Sequence, residues 1–211
     1  MSHPKRTVAV TVDIVLFTIV ERRLRVLMIR RLAKPFENRY AIPGGFVMEN
    51  ESLDAAAKRE LLEETGVDKV YLEQLYTFGE PKRDPRGRVI TVAYYALAPS
   101  SQTLQAGSDA SEAAWFPVDE LPTLAFDHDR ILQYALERLR NKLDYSNVGF
   151  GLLPEKFTLP ELQLVHEAIL GEELDKRNFR RKITQKDLLK PLKEWKQTGR
   201  KPARLYCFKH K

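Results

Sequence analysis

The stretch GFVMENESLDAAAKRELLEETGV, residues 45–67, has glycines near both ends of a segment that is rich in acids and contains one arginine. Alanine and leucine recur in it at helical spacing, and Ser52 and Gly66 are residues that commonly begin and end a helix. Three glutamates follow at spacings of three and one: Glu60, Glu63 and Glu64. On a helix they share an arc of roughly 100°, so the stretch predicts three carboxylates on one helix face.

Three carboxylates on one helix face repel one another unless a cation lies between them. Mg²⁺ is a hard cation that prefers carboxylate oxygens and often shares its coordination shell with substrate phosphates. The glutamates therefore predict a divalent metal site and chemistry on a phosphate anhydride. A solvent-facing helix with charge pairs four residues apart is the alternative, and it explains Lys58, Glu60 and Glu64 but not the glycines.

The spacing of the stretch resembles the signature of the Nudix hydrolases, which act on nucleoside diphosphates linked to another moiety. The match runs Gly45, five residues, Glu51, seven residues, Arg59-Glu60-Leu61, one residue, Glu63-Glu64, one residue and Gly66-Val67. The resemblance implies an α/β fold, the Nudix α/β/α sandwich, with Mg²⁺ (or Mn²⁺) as cofactor. It implies that Arg59, Glu63 and Glu64 are catalytic and that the metal ligands are Glu60, Glu63, Glu64 and the carbonyl of Gly44.

Nudix hydrolases often take their general base from outside this signature, and the segment before the strand predicted at 113–118 offers Asp109 and Glu112. We predict Glu112 as the base, with an ordinary loop acid as the alternative. The loop KRDPRGR, residues 82–88, has arginines that can grip a diphosphate or ribose, and two nearby rings can stack on adenine. The predicted substrate-binding residues are Arg83, Arg86, Arg88, Tyr76 and Phe78, although an exposed hairpin loop has a similar composition.

The composition describes a folded protein without a membrane segment. With 211 residues, 43% of them hydrophobic and 30% charged, the chain is long enough for one generous domain, or for one standard domain and a small one. The longest apolar run, VDIVLFTIV, is too short to cross a bilayer and contains Asp13. The only cysteine, Cys207, cannot form an intrachain disulfide and fits a reducing compartment. We therefore expect a cytoplasmic protein.

The positive charge is concentrated in the last third of the chain. Residues 1–143 contain 20 basic and 20 acidic residues, whereas residues 175–211 contain 14 basic and 3 acidic ones. Such a concentration predicts an anionic partner, most often nucleic acid, with a solvated basic face as the alternative.

The chain divides into two parts with different patterns. Residues 1–143 form the predicted Nudix domain, and residues 144–211 form a second domain, with a connector helix at 127–143 that Asp127 caps. Within the first domain strands are predicted at 7–19, 24–31, 70–78, 89–97 and 113–118.

The second domain has the element order of a winged helix-turn-helix. Its pattern predicts a strand at 147–153, a helix from Thr158 with Glu161 completing a capping box, and a second helix capped by Asp175. Two apolar strands then flank the turn QTGRKP, residues 197–202. With the connector helix before them, these elements have the order helix, strand, helix, helix and hairpin, which is the order of a winged helix-turn-helix.

The second helix of this domain suits a recognition helix, because Phe179 and Ile183 can face the core while basic side chains project outward. Asn178 can read adenine and arginine can read guanine, although most such contacts go to phosphate. A basic surface helix is the alternative. The predicted DNA-binding residues are Lys176, Arg177, Asn178, Arg180, Arg181, Lys182, Arg200 and Lys201.

Residues 126–183, beginning FDHDRILQYALERLRNKL, resemble the Nudix-related transcriptional regulators of bacterial NAD metabolism, which join a Nudix domain to a winged helix. The resemblance implies a homodimeric repressor that binds double-stranded operator DNA and senses ADP-ribose or a related nucleoside diphosphate; related branches sense sugars such as arabinose. The complete signature leaves hydrolysis of ADP-ribose to AMP and ribose 5-phosphate open. An ADP-ribose pyrophosphatase with an ancillary basic domain is therefore the second interpretation, and both can hold.

Overall fold

The computed structural model describes residues 7–68, 70–99, 110–143, 151–198 and 201–209. The strands of the first domain are β1 (Ala9–Val20), β2 (Arg23–Arg31), β3 (Tyr40–Ala41), β4 (Gly44–Phe46), β5 (Tyr71–Phe78), β6 (Val89–Leu97) and β7 (Ala110–Pro117). Its helices are α1 (Leu53–Thr65) and α2 (His128–Lys142). The strands form one sheet in the order β3-β2-β1-β6-β5, in which β4 also pairs with β1 and β7 with β2.

The hairpin of β1 and β2 follows from its turn residues. Glu21 and Arg22 have φ angles of 53° and 64°, the conformation that a two-residue hairpin turn requires. The turn sets the register in which Val20 pairs with Arg23 and Ile19 with Leu24. The break between the strands predicted at 7–19 and 24–31 is thus a two-residue hairpin turn.

The sheet is covered by helices on both faces. Successive residues of β1 point to opposite faces, so Val12, Ile14 and Leu16 pack with the α1 side, whereas Val15 and Phe17 pack with the α2 side. All five side chains are fully buried. Two helical layers on one sheet confirm the predicted α/β/α sandwich.

The second domain contains β8 (Phe157–Thr158), α3 (Leu159–Leu170), α4 (Lys176–Gln185), β9 (Leu189–Thr198) and β10 (Lys201–Phe208), with a sheet in the order β8-β10-β9. The predicted winged helix is thereby confirmed. The capping box is also present, since Thr158 Oγ1 accepts from the Glu161 amide at 3.3 Å and a Glu161 carboxylate oxygen accepts from the Thr158 amide at 2.7 Å.

The strand predicted at 147–153 is wrong in its described part. Residues 151–153 form a turn, the strand begins at Phe157, and residues 144–150 lie outside the described residues. Leu152 and Leu153 are buried. Their apolar character reflects that burial and not pairing in a sheet, and a short apolar run does not distinguish the two.

The two domains share one apolar interior. A single cluster of buried residues runs from Phe17 and Ile131 in the first domain to Leu162 and Phe179 in the second. Arg140 of α2 donates to the Ile169 carbonyl of α3 at 3.1 Å. Across the described ranges, no helix is long and apolar enough to span a membrane.

Candidate functional site

The helix that carries the three glutamates begins and ends as the sequence predicts. Ser52 Oγ accepts from the Ala55 amide at 3.2 Å, and Gly66 has φ 71° with its amide bonded to the Leu62 carbonyl. A positive φ at this position favours glycine. Leu61 faces the sheet, and this orientation brings the neighbouring glutamates to the sheet edge where β4 ends.

Arg59 is the centre of a charged network at this edge. Its guanidinium donates to Glu51 at 2.6 and 3.0 Å, to Glu60 at 2.7 Å, to Glu63 at 3.1 Å and to the Phe46 carbonyl at 3.2 Å. The Arg59 hydrogen bonds, followed by a bond from the Met48 amide, lower the pKa of Glu51 to about 2. Arg59 therefore fixes the carboxylates of three glutamates relative to one another.

Two glycines allow the glutamates to approach the backbone. A Cβ at Gly45 would lie 2.3 Å from Glu60 Oε1, and a Cβ at Gly44 would lie 2.2 Å from the Val12 carbonyl oxygen. Glu64 is buried, and its Oε2 accepts from the Gly44 amide at 2.7 Å. At Gly44 the close neighbour is backbone, which leaves no room for a side chain, whereas at Gly45 it is the movable end of the Glu60 side chain.

The glutamates line a cavity but are not arranged as a metal shell. Within the ranges that the structure describes, no three His, Cys, Asp or Glu side chains converge closely enough to hold a metal ion as they stand. In this arrangement Arg59 pairs with Glu60 and with Glu63. Burial raises the pKa of the Glu60 carboxyl, an effect that outweighs its bond from Arg59.

The cavity has a volume of about 620 Å³ and contains most of the predicted catalytic and metal-binding residues. The predicted residues that line it are Gly44, Arg59, Glu60, Glu63, Glu64, Arg83 and Arg86. Arg31 and Lys34 also line it, so the cavity presents carboxylates on α1 and cations at the end of β2 and on the segments after β2 and β5. Leu32, Phe46 and Met48 add exposed apolar surface.

Arg83 belongs to a buried polar network at the start of α2. Its Nη2 and Nε atoms donate to the two oxygens of Asp127 at 2.7 and 3.1 Å, and its Nη2 lies 3.4 Å from Asp13 Oδ2. His128 Nδ1 accepts from the Ile42 amide at 3.1 Å, and its Nε2 lies 3.7 Å from Asp13 Oδ1. Burial lowers the pKa of His128, so the imidazole is held neutral.

Arg86 lies among aromatic rings at the other side of the cavity. Its guanidinium carbon is 4.9 Å from the Phe46 ring centroid and 5.4 Å from that of Phe126. Asp84 accepts from Arg86 at 2.6 Å. Arg31 stacks on the Phe126 ring at 4.9 Å. Cations and rings thus alternate along this wall, an arrangement that suits both phosphate and a planar base.

Several predicted site residues do not line this cavity. Phe78 is buried in the core, and Tyr76 stacks with Phe78 and Tyr134 on β5 and α2. Arg88 donates to the Gly79 carbonyl at 2.6 Å. Glu112 accepts from the Tyr40 hydroxyl at 3.3 Å. Asp109, the other candidate for the base, lies outside the described residues.

Sequence reasoning did not assign Asp13, His128, Phe46 or Phe126 to the site, and it read Asp127 only as a cap. Asp13 carries the one signal that was available, because it is a lone acid within an apolar strand. A buried acid without a partner is costly, so its presence predicts a nearby cation. The other residues lie at the end of β4 or at the start of α2, and the loops that bring these two ends to one cavity follow a course that the sequence does not reveal.

The recognition-helix residues have the predicted orientation. Phe179 and Ile183 of α4 are buried, and Phe179 packs edge-on against His166 of α3. The Asp175 carboxylate caps the helix by accepting from the Asn178 amide at 2.8 Å. The predicted DNA-binding residues that α4 exposes are Lys176, Arg177, Asn178, Arg180, Arg181 and Lys182.

The hairpin of β9 and β10 forms the wing beside α4. Lys201 is exposed at the start of β10, and Arg200 lies outside the described residues. Lys196 pairs with Glu161 at 2.6 Å, which ties the wing to the start of α3. Trp195 is 61% exposed and pairs across the hairpin with Arg204, a feature that the sequence analysis did not single out.

Comparison with known proteins shows the same two parts. A NUDIX domain matches residues 8–135, and the NrtR DNA-binding winged helix domain matches residues 149–208. The fold and the site thus define a NUDIX domain joined to a DNA-binding winged helix domain.

One similar protein is the ADPR responsive transcriptional repressor of Acinetobacter baylyi, which is 40% identical over 94% of this chain and 81% of its own length. The chain therefore belongs to the NrtR family. The ADP-ribose pyrophosphatase of Methanocaldococcus jannaschii is 41% identical over 62% of this chain and 72% of its own length.

Two solved structures from Shewanella oneidensis are also similar. NrtR complexed with a 27mer DNA is 41% identical, covers 95% of this chain and 93% of its own, and superposes with a TM-score of 0.79. The NUDIX domain of NrtR complexed with ADP ribose is 41% identical, covers 65% of this chain and 94% of its own, and has a TM-score of 0.60.

Proposed function

We propose that the protein is a transcriptional repressor that binds operator DNA through its winged helix and ADP-ribose through its Nudix cavity. The observation that carries the proposal is the pairing of two surfaces in one chain. One is a cavity with carboxylates on α1 and arginines opposite; the other is the exposed basic face of α4. The similar ADPR responsive repressor and the NrtR structure with ADP ribose support the assignment of the cavity. The NrtR structure with DNA supports the assignment of the winged helix.

The cavity supports a nucleoside diphosphate as the ligand. Arg83 and Arg86 provide planar, fixed charges of the kind that binds phosphate oxygens in pairs. Phe46 and Phe126 provide rings beside them for the base. A volume of about 620 Å³ is also within the range of small-molecule sites. Tyr76, Phe78 and Arg88 remain predictions as ligand contacts, with no support from the cavity.

The donors in the cavity fit a divalent metal by their chemistry. Glu60, Glu63 and Glu64 supply the hard oxygens that Mg²⁺ and Mn²⁺ prefer, and the Gly44 carbonyl lies on the same edge. Glu60 supplies a specific test of fit. Its carboxylate is partly buried, the burial raises its pKa, and a cation beside it would relieve that penalty. The metal, when bound, would polarise the diphosphate and activate water.

The remaining residues have roles that follow from their positions. Arg59 orients the carboxylates of Glu60 and Glu63, and these must exchange the guanidinium for the metal. Glu64 is held by the Gly44 amide and needs no rearrangement to face the cavity. Glu63 and Glu64 line the cavity, and this position favours them as candidates for the general base. Glu112 remains a prediction from the sequence.

Hydrolysis of ADP-ribose is the second proposed function, and the complete signature favours it. Every charged position of the signature is present: Glu51, Glu60 and Glu63 pair with Arg59, and Glu64 is held by the Gly44 amide. A sensor that only binds its ligand would need none of this arrangement. The enzyme and repressor functions are compatible, because hydrolysis would remove the effector.

We also propose that the protein acts as a homodimer in the cytoplasm. Winged helices commonly read two half-sites about one DNA turn apart, and a two-fold symmetric dimer matches that spacing. A repressor acts where the chromosome lies, and the lone Cys207 fits that reducing compartment.

The test combines two measurements on the same protein. DNA affinity is measured by fluorescence anisotropy on a labelled duplex from the region that flanks the gene, with and without ADP-ribose. Glu64→Gln is used for this titration so that the ligand is not consumed. Hydrolysis by the parent is measured with Mg²⁺ and with Mn²⁺. We expect ADP-ribose to weaken DNA binding, and equal affinity across a saturating range would reject the sensor function.

A further inference from the structure

The ion pair between Arg83 and Asp127 joins the ligand cavity to the helix that carries the second domain. Arg83 lines the cavity and is buried, and it donates two hydrogen bonds to Asp127 at 2.7 and 3.1 Å. Asp127 is the N-cap residue of α2, and the far end of that helix contacts α3 through Arg140. The pair therefore links the cavity to α2, beside His128, which is the first residue of the helix and also lines the cavity.

Asp127 is placed at the N-cap but does not cap. An aspartate there normally accepts a hydrogen bond from an amide of the first helical turn, a bond worth about 1 kcal/mol. The Asp127 side chain makes no capping hydrogen bond, and its φ and ψ of −103° and 28° are not those of an ordinary cap. Its carboxylate is directed to Arg83 instead, so a second favourable partner, the helix amides, remains available to it.

Arg83 likewise has more than one candidate partner. Asp13 lies 3.4 Å from its Nη2, so the guanidinium keeps one carboxylate if Asp127 is released. A diphosphate that enters the cavity brings further anionic oxygens to the same wall. Arginine can donate two parallel hydrogen bonds to a phosphate group. Arg83 now donates two hydrogen bonds to the carboxylate of Asp127 in the same way.

We propose that an anionic ligand takes the place of Asp127 on Arg83 and that the released Asp127 then caps α2. The exchange moves the start of a helix of 15 residues, about 22 Å long. At its other end Lys142 is paired with Glu73 of β5, which keeps that end in place on the sheet. Release at one end and retention at the other changes the tilt of α2, and with it the position of α3.

This proposal rests on the proposed function and names its coupling residues. Its test is Asp127→Asn, which keeps the size of the side chain and removes the competing charge. ADP-ribose should bind this variant at least as tightly as the parent, because it no longer displaces a carboxylate. DNA binding without ligand should fall to the level of the ligand-saturated parent, and ADP-ribose should then change it by less than twofold. In the parent we expect a change of roughly 5- to 150-fold.

The matched control is Glu73→Gln, which breaks the ion pair at the opposite end of the same helix. Glu73 is not among the residues that line the cavity, so its variant should keep the parent's ADP-ribose affinity. Asp127→Ser is a second test of the exchange, since serine caps a helix but cannot pair with Arg83. Circular dichroism and thermal unfolding establish that each variant is folded.

The outcomes separate this proposal from the function on which it rests. A parent that shows no effect of ADP-ribose on DNA affinity rejects the repressor function. A responsive parent together with an equally responsive Asp127→Asn overturns the exchange and leaves the function intact. A variant that loses ADP-ribose binding also overturns it, because Asp127 would then only position Arg83.

Discussion

Gly45→Ala tests whether the packing of Glu60 against the backbone determines metal binding. The new Cβ would lie 2.3 Å from Glu60 Oε1 and 2.5 Å from its Cδ, whereas ordinary contacts begin at 3.4 Å. The carboxylate must therefore withdraw by about 1 Å. Because it is the flexible end of a side chain, the fold tolerates this movement. The free energy of unfolding should change by less than about 1 kcal/mol, which is the range of ordinary glycine-to-alanine exchanges.

Activity should respond far more than stability. A misplacement of about 1 Å at a reacting centre can cost roughly 100-fold in rate, and we expect a loss of that order in metal-dependent ADP-ribose hydrolysis. Calorimetric titration with Mn²⁺ measures the metal affinity directly, so the comparison does not depend on turnover. Thermal unfolding in the absence of metal reports the fold.

Gly79→Ala is the control for this experiment. A Cβ at Gly79 has its nearest neighbour at 3.7 Å, which is an ordinary contact. Gly79 directly precedes the charged loop that contains Arg83. The control should retain metal affinity and rate. If Gly45→Ala also retains both, then Glu60 either moves freely or is not a metal ligand, and the structural argument is refuted.

Three further predictions concern charged residues of the cavity edge and of α4. Glu64→Gln keeps the acceptor for the Gly44 amide but removes a charge, so metal affinity and hydrolysis should fall by orders of magnitude while thermal unfolding stays near the parent's. Arg180→Ala combined with Arg181→Ala should weaken DNA binding by at least ~1 kcal/mol and reduce its salt dependence, and unchanged anisotropy titrations would reject α4 as the recognition helix. Because the pKa of Glu51 is lowered to about 2, the stability that it contributes is complete above pH 4.5 and is lost as pH falls toward 2. In urea unfolding, the free energy of unfolding should therefore fall less on acidification in Glu51→Gln than in the parent.

The elements that the sequence predicts well are those specified by local signals. The start of α1 at Ser52, its end at Gly66 and the capping box at Thr158 each involve groups within four residues of one another. Such groups interact whatever the remaining chain does. The hairpin turn at residues 21–22 is of the same kind.

The site is predictable only where it belongs to one element. The glutamates of α1 are related by helical geometry, and the structure brings them to one cavity as expected. Arg83 and Arg88 have the same local chemistry in one loop, yet only Arg83 reaches the cavity. The difference depends on Asp127, which is 44 residues further along the chain. No local pattern contains that information.

The aromatic predictions illustrate the same limit for strands. Tyr76 and Phe78 share a face of β5 by the alternation of strand side chains, as the sequence indicates. Which layer covers that face depends on the packing of α2, whose Tyr134 stacks on Tyr76 at 5.0 Å. Phe78 is thus buried beneath the helix, and Tyr76 lies half-exposed against Tyr134. Phe46 and Phe126 take the positions beside the cavity.

The continuous apolar interior makes the two domains a single cooperative unit. Separating them would expose Leu139 and Leu162 together, so neither domain unfolds without a cost to the other. A ligand at 100 times its dissociation constant stabilises the protein that binds it by about 2.7 kcal/mol. Since one interior joins the domains, that stabilisation raises the melting temperature of α4 as well as that of α1. A melting curve therefore registers occupancy of the cavity in residues that never contact the ligand.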